Sequence, residues 1–268
     1  MSLPQTETLT LNLDGPVLHV TLNRPDSRNA MSLDMVNELM AVFQAVQDDT
    51  GVRAIVLRGA GGHFCAGGDI KDMAGARARV AAGDNDAFVS LNRRFGEMIS
   101  VANRQPQVVI TVLEGAVLGG GFGLASISDV AIASSNATFG LPETGLGVIP
   151  AQIAPFVVER IGLTQARRLA LTGIRFQGEE ALRLGIVHQV ASDPAGLDAA
   201  LEDTLKAVHR CAPGANRVTK ALVLNVGKQD MNQLLDQAAR DFGAAVAGEE
   251  GTEGTMAFVQ KRPASWNQ

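Results

Sequence analysis

Three stretches of the chain hold residue types that can do chemistry. The first is His63-Phe64-Cys65-Ala66-Gly67-Gly68-Asp69-Ile70. Its small residues from 65 to 68 leave main-chain N–H groups unshielded, so a ligand can approach them closely. The second is Glu114-Gly115-Ala116-Val117-Leu118-Gly119-Gly120-Gly121-Phe122-Gly123, which leads from an apolar segment into a helical one. Free N–H groups at a helix start, aided by the helix dipole, favour a negative atom. The third is Phe139-Gly140-Leu141-Pro142-Glu143-Thr144-Gly145-Leu146-Gly147, where one acid stands among apolar and small residues. Burial would raise the pKa of that acid and fit it to proton transfer. Each stretch alone also has a plain structural use: a tightly packed loop, close helix–strand packing, or a glutamate capping a helix.

Several familiar site patterns do not fit these residues. A G-x-G-x-x-G match fails because Leu124 stands where the third glycine should be, and no G-x-x-x-x-G-K-[ST] exists. No G-x-S-x-G elbow is present either. With only Cys65 and Cys211 and four scattered histidines, neither a disulfide framework nor a metal site is expected. The expected compartment is the reducing cytoplasm.

These stretches must be positioned by regular elements. Residues 8–13 and 16–22 alternate as two strands, with Asp14-Gly15 marking a hairpin between them. Ser32 is expected to cap a helix carrying Val36, Leu39, Met40, Phe43 and Val46 at helical spacing. A buried strand over 53–58 runs toward the first glycine turn. Residues 71–86, rich in Ala, Arg and Gly, read as a mobile loop. Phe88, Leu91, Phe95, Met98 and Ile99 mark a helix, and 108–113 a strand. The glycine run then opens a helix at about 120–128, and 130–133 is strand-like. Beyond about 150 come four or five helices and a short strand near 186–190. One of those helices carries an apolar stripe from Met231 to Val246. The expected fold is α/β, with strand–strand–helix units in a core over 1–195 and a helical region over 196–268. A soft boundary is expected within 195–212.

The 268 residues are 46% hydrophobic, enough for one substantial core. A net charge of −5 without a basic face argues against nucleic-acid binding. The stretch between Glu114 and Asp129 is too short and too rich in glycine to span a bilayer, so no membrane partner is expected. The start MSLPQTETLT has no basic or apolar character, so no signal peptide is expected.

Taken together, the first glycine turn, the triple glycine and Pro142-Glu143, in that order, resemble the enoyl-CoA hydratase/isomerase superfamily, the crotonase family. The resemblance runs from Leu22-Asn23-Arg24-Pro25 to Glu253-Gly254-Thr255-Met256-Ala257-Phe258. It implies a crotonase-like spiral of strand–strand–helix units and an oxyanion hole made by the N–H groups of Gly68 and Gly120. Glu143 becomes the catalytic acid–base. Such a pair of donors would oppose the negative charge that a thioester oxygen gains as its enolate forms. The resemblance further implies an acyl-CoA thioester as substrate, with no separate cofactor because CoA belongs to the substrate. It also implies a homotrimer or a dimer of trimers.

By the same resemblance, main chain at Ala66 and Ile70 meets the adenine. Arg24, Arg28, Ala30 and Lys71 line the path of the pantetheine and phosphates, and Phe258 and Lys261 reach CoA from the C-terminal segment. Asp69 stabilises the turn within this strip. His63 is expected to be structural, and Gln152 to pack at a helix start or orient water. For each Lys or Arg, a solvated surface charge is the alternative.

One position departs from the pattern. Many family hydratases have a second glutamate three residues after the middle glycine, where this chain has Gly123. A lone Glu143 suits an isomerase. It equally suits a substrate with its own carboxylate, which a second glutamate would repel by several kcal/mol at ~4 Å for an effective dielectric near 20. On that reading Gly123 also makes room for a branched acyl group. The stretches 63–78, 113–125 and 147–158 resemble the family branch that hydrates 3-substituted glutaconyl-CoA esters. Its substrates are the isohexenyl ester of acyclic-terpene breakdown and the methyl ester of leucine breakdown.

Overall fold

The computed structural model describes residues 2–267. It begins with a hairpin of β1 (Leu9–Asp14) and β2 (Val17–Leu22). The turn centre is Gly15-Pro16, one residue later than expected, because Asp14 itself pairs with Val17. Gly15 has φ +52°, the backbone form a glycine supplies at the first central position of a two-residue hairpin turn.

Ser32 caps α1 (Leu33–Val46) by accepting the Met35 N–H, and Val36, Leu39, Met40, Phe43 and Val46 are all buried. β3 (Ala54–Gly59) follows, then α2 (Ile70–Ala81) and α3 (Ala87–Asn103). The mobile loop expected over 71–86 is therefore mostly helix. Its alanines and arginines favour helix over coil, and Asp69 caps the start by accepting the Lys71 N–H at 2.8 Å.

The next elements are β4 (Val108–Leu113), β5 (Ala116–Leu118), α4 (Gly120–Ile127), β6 (Val130–Ser134) and β7 (Thr138–Gly140). Six helices then follow among the described residues, one or two more than expected. They are α5 (Ala154–Thr172), α6 (Gly178–Arg183), α7 (Pro194–His209), α8 (Pro213–Leu224), α9 (Met231–Ala247) and α10 (Glu249–Val259). Between α6 and α7 lies β8 (Gln189–Ala191), shifted toward the C-terminus from the expected 186–190.

The main sheet has the order β1-β2-β3-β4-β6-β8. Only β1–β2 is antiparallel; the other pairs are parallel, which accounts for the continuous apolar runs of β3 and β4. On one face the sheet packs against α1, α3 and α4, around Leu18, Val20, Ile55 and Leu57. On the other it packs against α7, around Val56, Ile110, Val112 and Ile132. β5 and β7 form a separate two-stranded parallel sheet. Its strands lie within the second stretch and at the start of the third, and their pairing holds the two together.

Candidate active site

Register brings the two glycine turns side by side. Cys65 and Val117 form a parallel bridge, in which the Cys65 N–H donates to the Ala116 carbonyl and the Leu118 N–H to the Cys65 carbonyl. Three residues further along each strand come Gly68 and Gly120. Met31 holds the first turn from its other edge: its N–H donates to the Gly67 carbonyl and its carbonyl accepts the Asp69 N–H. The Gly68 N–H between those bonds is left out of the ladder. Gly120 is the first residue of α4, so its N–H has no acceptor within the helix. Neither N–H donates to any other backbone group among the described residues.

Two glycines make this arrangement possible. Gly119 (φ +51°, ψ −116°) swings the chain from β5 into α4. At Gly121 a Cβ would come within 2.7 Å of the Cys65 Cβ, so only glycine lets α4 start flush against the first turn. Phe95 of α3 then roofs Gly120, its ring 3.2 Å from where a Cβ would stand.

Glu143 completes the group. A Cβ placed on Gly119 would lie 2.9 Å from Glu143 Oε1 and 3.4 Å from the Gly67 Cα. The carboxylate thus touches the junction of both turns. It opens a short 3-10 turn, Glu143–Leu146, whose end is fixed by Gly147 in the left-handed region. Its Oε2 is buried and has no hydrogen-bond partner among the described residues. Burial raises its pKa above the usual carboxylate value, opposed only by a hydrogen bond from its own backbone N–H. A desolvated, unpaired carboxylate beside two unspent N–H donors can take a proton from water or carbon and return it.

Gly123 requires a correction. It does not open space for substrate. It is buried in α4, and a Cβ there would collide with Ile153 Cγ2 and stand 3.0 Å from Ile99 Cδ1. The start of the course that a glutamate side chain would take is filled by two isoleucines. The wall is apolar and uncharged, so the charge argument survives while the volume argument does not.

The residues assigned to CoA contact fall into two groups. Arg24, Ala30, Ala66 and Asp69 form one braced strip. The Arg24 guanidinium donates to Asp69 Oδ2 and to the Ala30 carbonyl, both at 2.6 Å, and Ala66 N–H donates to the Arg28 carbonyl. Burial pushes the Asp69 pKa up, but the Lys71 N–H and Arg24 outweigh it and hold it below the usual range. Arg24 is therefore occupied in bracing the turn. Arg28, Ile70 and Lys71 are exposed along the same strip. Phe258 and Lys261 stand apart, at the end of α10, which packs chiefly on α9. Phe258 is 85% exposed.

Asn29 was not singled out from sequence. It is fully buried, accepts the Arg24 N–H, and donates to the Ala60 and His63 carbonyls, tying the strip to the loop before the first glycine turn. Its backbone is left-handed (φ +55°), a conformation asparagine tolerates, so the residue type was the signal that the sequence offered. His63 Nδ1 accepts the Ala116 N–H at 3.1 Å, a structural contact. Gln152 lies against Gly96 of α3.

A cavity of about 430 Å³ lies elsewhere, between α4, α5 and α8. Its charged groups serve the fold: Lys220 pairs with Asp129 at 2.6 Å, and Arg160 donates to the Ser128 and Ile186 carbonyls. No glycine turn reaches it. Among the described residues no cluster of His, Cys, Asp and Glu could hold a metal, and no helix is long and apolar enough to cross a membrane.

Two adjacent amide donors at glycine turns, with one desolvated acid between them, have the chemistry to hold an oxyanion and move a proton beside it. The enoyl-CoA hydratase/isomerase family model matches residues 13–268, and the chain belongs to that family. It is 32% identical over 265 residues to the short-chain-enoyl-CoA hydratase of Clostridium acetobutylicum, covering 96% of this chain and 97% of the relative. The structure of Pseudomonas aeruginosa AtuE matches with a TM-score of 0.95 and 62% identity, over 98% of this chain and 100% of that one. An enoyl-CoA hydratase/isomerase from Marinobacter aquaeolei matches with a TM-score of 0.93 and 59% identity, over 97% and 99%. The fold is thus the crotonase fold, and the chain is an enzyme of the hydratase/isomerase group.

Proposed function

We propose that the enzyme hydrates a 3-branched glutaconyl-CoA, with isohexenylglutaconyl-CoA as the preferred ester and 3-methylglutaconyl-CoA as a smaller relative. The N–H groups of Gly68 and Gly120 hold the thioester oxygen. Glu143 takes a proton from water, whose oxygen bonds to C3, and negative charge moves through C2 to the thioester oxygen. The protonated Glu143 then delivers the proton to C2, and the carbonyl re-forms. Water adds at the branched carbon, giving a tertiary alcohol. The CoA moiety runs along the strip of Arg24, Arg28, Ala30, Ala66, Asp69, Ile70 and Lys71.

The observation that carries this reading is the single acid. Among the described residues Glu143 is the carboxylate at the two turns that no cation pairs, Asp69 being bound to Arg24, and the wall at Gly123 is apolar. A substrate bearing its own carboxylate meets no opposing charge there. The same observation favours a second reading, a 3-enoyl-CoA to 2-enoyl-CoA isomerase, in which Glu143 moves one proton between carbons. Incubation with isohexenylglutaconyl-, 3-methylglutaconyl-, crotonyl- and a 3-enoyl-CoA, followed by the conjugated thioester absorbance, separates the two. Hydration of the glutaconyl esters is expected. Isomerisation of the 3-enoyl ester with no hydration of the others overturns the choice.

The proposed assembly is a homotrimer or a dimer of trimers. Met231, Leu235, Phe242 and Val246 form an exposed apolar face on α9, and Phe258 and Val259 extend it on α10. Faces of this kind mark interfaces. Light scattering at working concentration should give at least three protomers; a stable monomer contradicts the assembly.

A further inference from the structure

The α3 face that roofs the glycine turns also carries a cation without an acid. Phe95 covers Gly120 and Ile99 covers Gly123. Gly96 between them leaves room for Gln152, whose carboxamide would collide with any side chain there. The Gln152 Oε1 accepts from the Arg93 guanidinium at 3.3 Å, and its Nε2 donates to Asn92 Oδ1 at 3.0 Å. Arg93 Nη1 folds back over the same spot, 2.8 Å from where a Gly96 Cβ would be. The neighbouring Arg94 is bound to Asn37 and Glu97. Arg93 has no carboxylate partner among the described residues; its one side-chain partner is a neutral amide.

Position makes this cation useful. Asn92 lies about one helical turn, roughly 5 Å, from Phe95 and Gly96 along α3. The extended path from the thioester carbon to the distal carboxyl carbon of a glutaconyl chain is also about 5 Å. A guanidinium held by neutral groups keeps its full charge and its fork of donors, which matches a carboxylate bidentately. The isoleucines at Gly123 place no competing acid beside it.

We propose that Arg93, oriented by Gln152 and Asn92, binds the distal carboxylate of the acyl group and makes the enzyme select dicarboxylic over neutral acyl-CoA esters. This rests on the glutaconyl-CoA reading and assigns the group that reads its charge.

The test compares kcat/KM for 3-methylglutaconyl-CoA and 3-methylcrotonyl-CoA, which share the branched double bond and differ in the carboxylate. Both are measured on one preparation, so any misfolded fraction cancels in their ratio. The wild-type enzyme should favour the dicarboxylic ester. Arg93→Met should lower the ratio roughly 10- to 100-fold, the size expected for a charge-assisted hydrogen bond, and Arg93→Gln should behave alike. A wild-type ratio at or below one overturns the dicarboxylic reading itself. A high wild-type ratio that neither variant changes by more than about threefold overturns the role of Arg93 alone.

Discussion

Gly123→Ala tests whether Ile153 fills the place where many relatives have a catalytic acid. Alanine in a helix interior is ordinarily favoured over glycine by about 0.5–1 kcal/mol. Here the new methyl would collide with Ile153 Cγ2 and stand 3.2 Å from Ile153 Cβ, in a fully buried site. Overpacking of that kind costs about 1–3 kcal/mol, so the variant should be less stable by up to about 2 kcal/mol. Ile153→Ala alone opens a cavity and should cost about 2–5 kcal/mol. In that background the Cγ2 collision is gone and only the 3.2 Å contact with the remaining Cβ and the 3.0 Å contact with Ile99 Cδ1 are left, so Gly123→Ala should change stability by less than about 1 kcal/mol. The predicted coupling, about 1–2 kcal/mol in favour of the double variant, is the Cγ2 collision that it removes. Urea unfolding of all four proteins at one protomer concentration measures it, with the m-value unchanged. Additivity within about 0.5 kcal/mol would refute the claim that these two residues share the space.

The remaining predictions concern protonation and the turn brace. Folding raises the Glu143 pKa, so the native state holds that proton more tightly than the unfolded chain. The associated stability is fully present below the unfolded value of 4.5 and is lost as pH rises through the raised native value. Glu143→Gln should therefore match the wild-type Tm below about pH 4 and exceed it at neutral pH; calorimetry across that range checks the sign. Because the ionised form is the base, the acid limb of kcat/KM should lie above pH 4.5, read directly from a pH–rate profile. Asp69→Ala removes the cap of α2 and the partner of Arg24. It should cost about 1–3 kcal/mol in urea unfolding and raise KM more than it lowers kcat, as steady-state kinetics would report.

Much of the site was legible in the sequence because main-chain chemistry leaves a signature in glycine. Gly119, Gly120 and Gly121 stand where the chain turns with positive φ or two segments touch, while a side chain at Gly68 would meet nothing within 4 Å, so that glycine marks an N–H left open to a ligand. Glu143 was legible as an acid in an apolar setting, and the hairpin, α1 and the sheet strands through their periodicity. The helix at 70–81 was hidden because its sequence buries little beyond Ala76; its stability comes from the Asp69 cap and alanine content. Gly123 was misread for a different reason. Glycine marks close approach without saying what approaches, and Ile153 arrives from 30 positions downstream on another element. The Arg93–Gln152–Asn92 contact was unreadable on the same grounds, since it joins α3 to a loop through side chains alone.

The central claim is that one desolvated carboxylate, Glu143, performs the proton transfers at an enolate held by Gly68 and Gly120. Its most direct test is the kcat of Glu143→Gln for 3-methylglutaconyl-CoA at neutral pH, with folding verified by Tm. The account predicts a fall of ~10²-fold or more in a protein at least as stable as wild type. A well-folded variant with kcat near the wild-type value would contradict it.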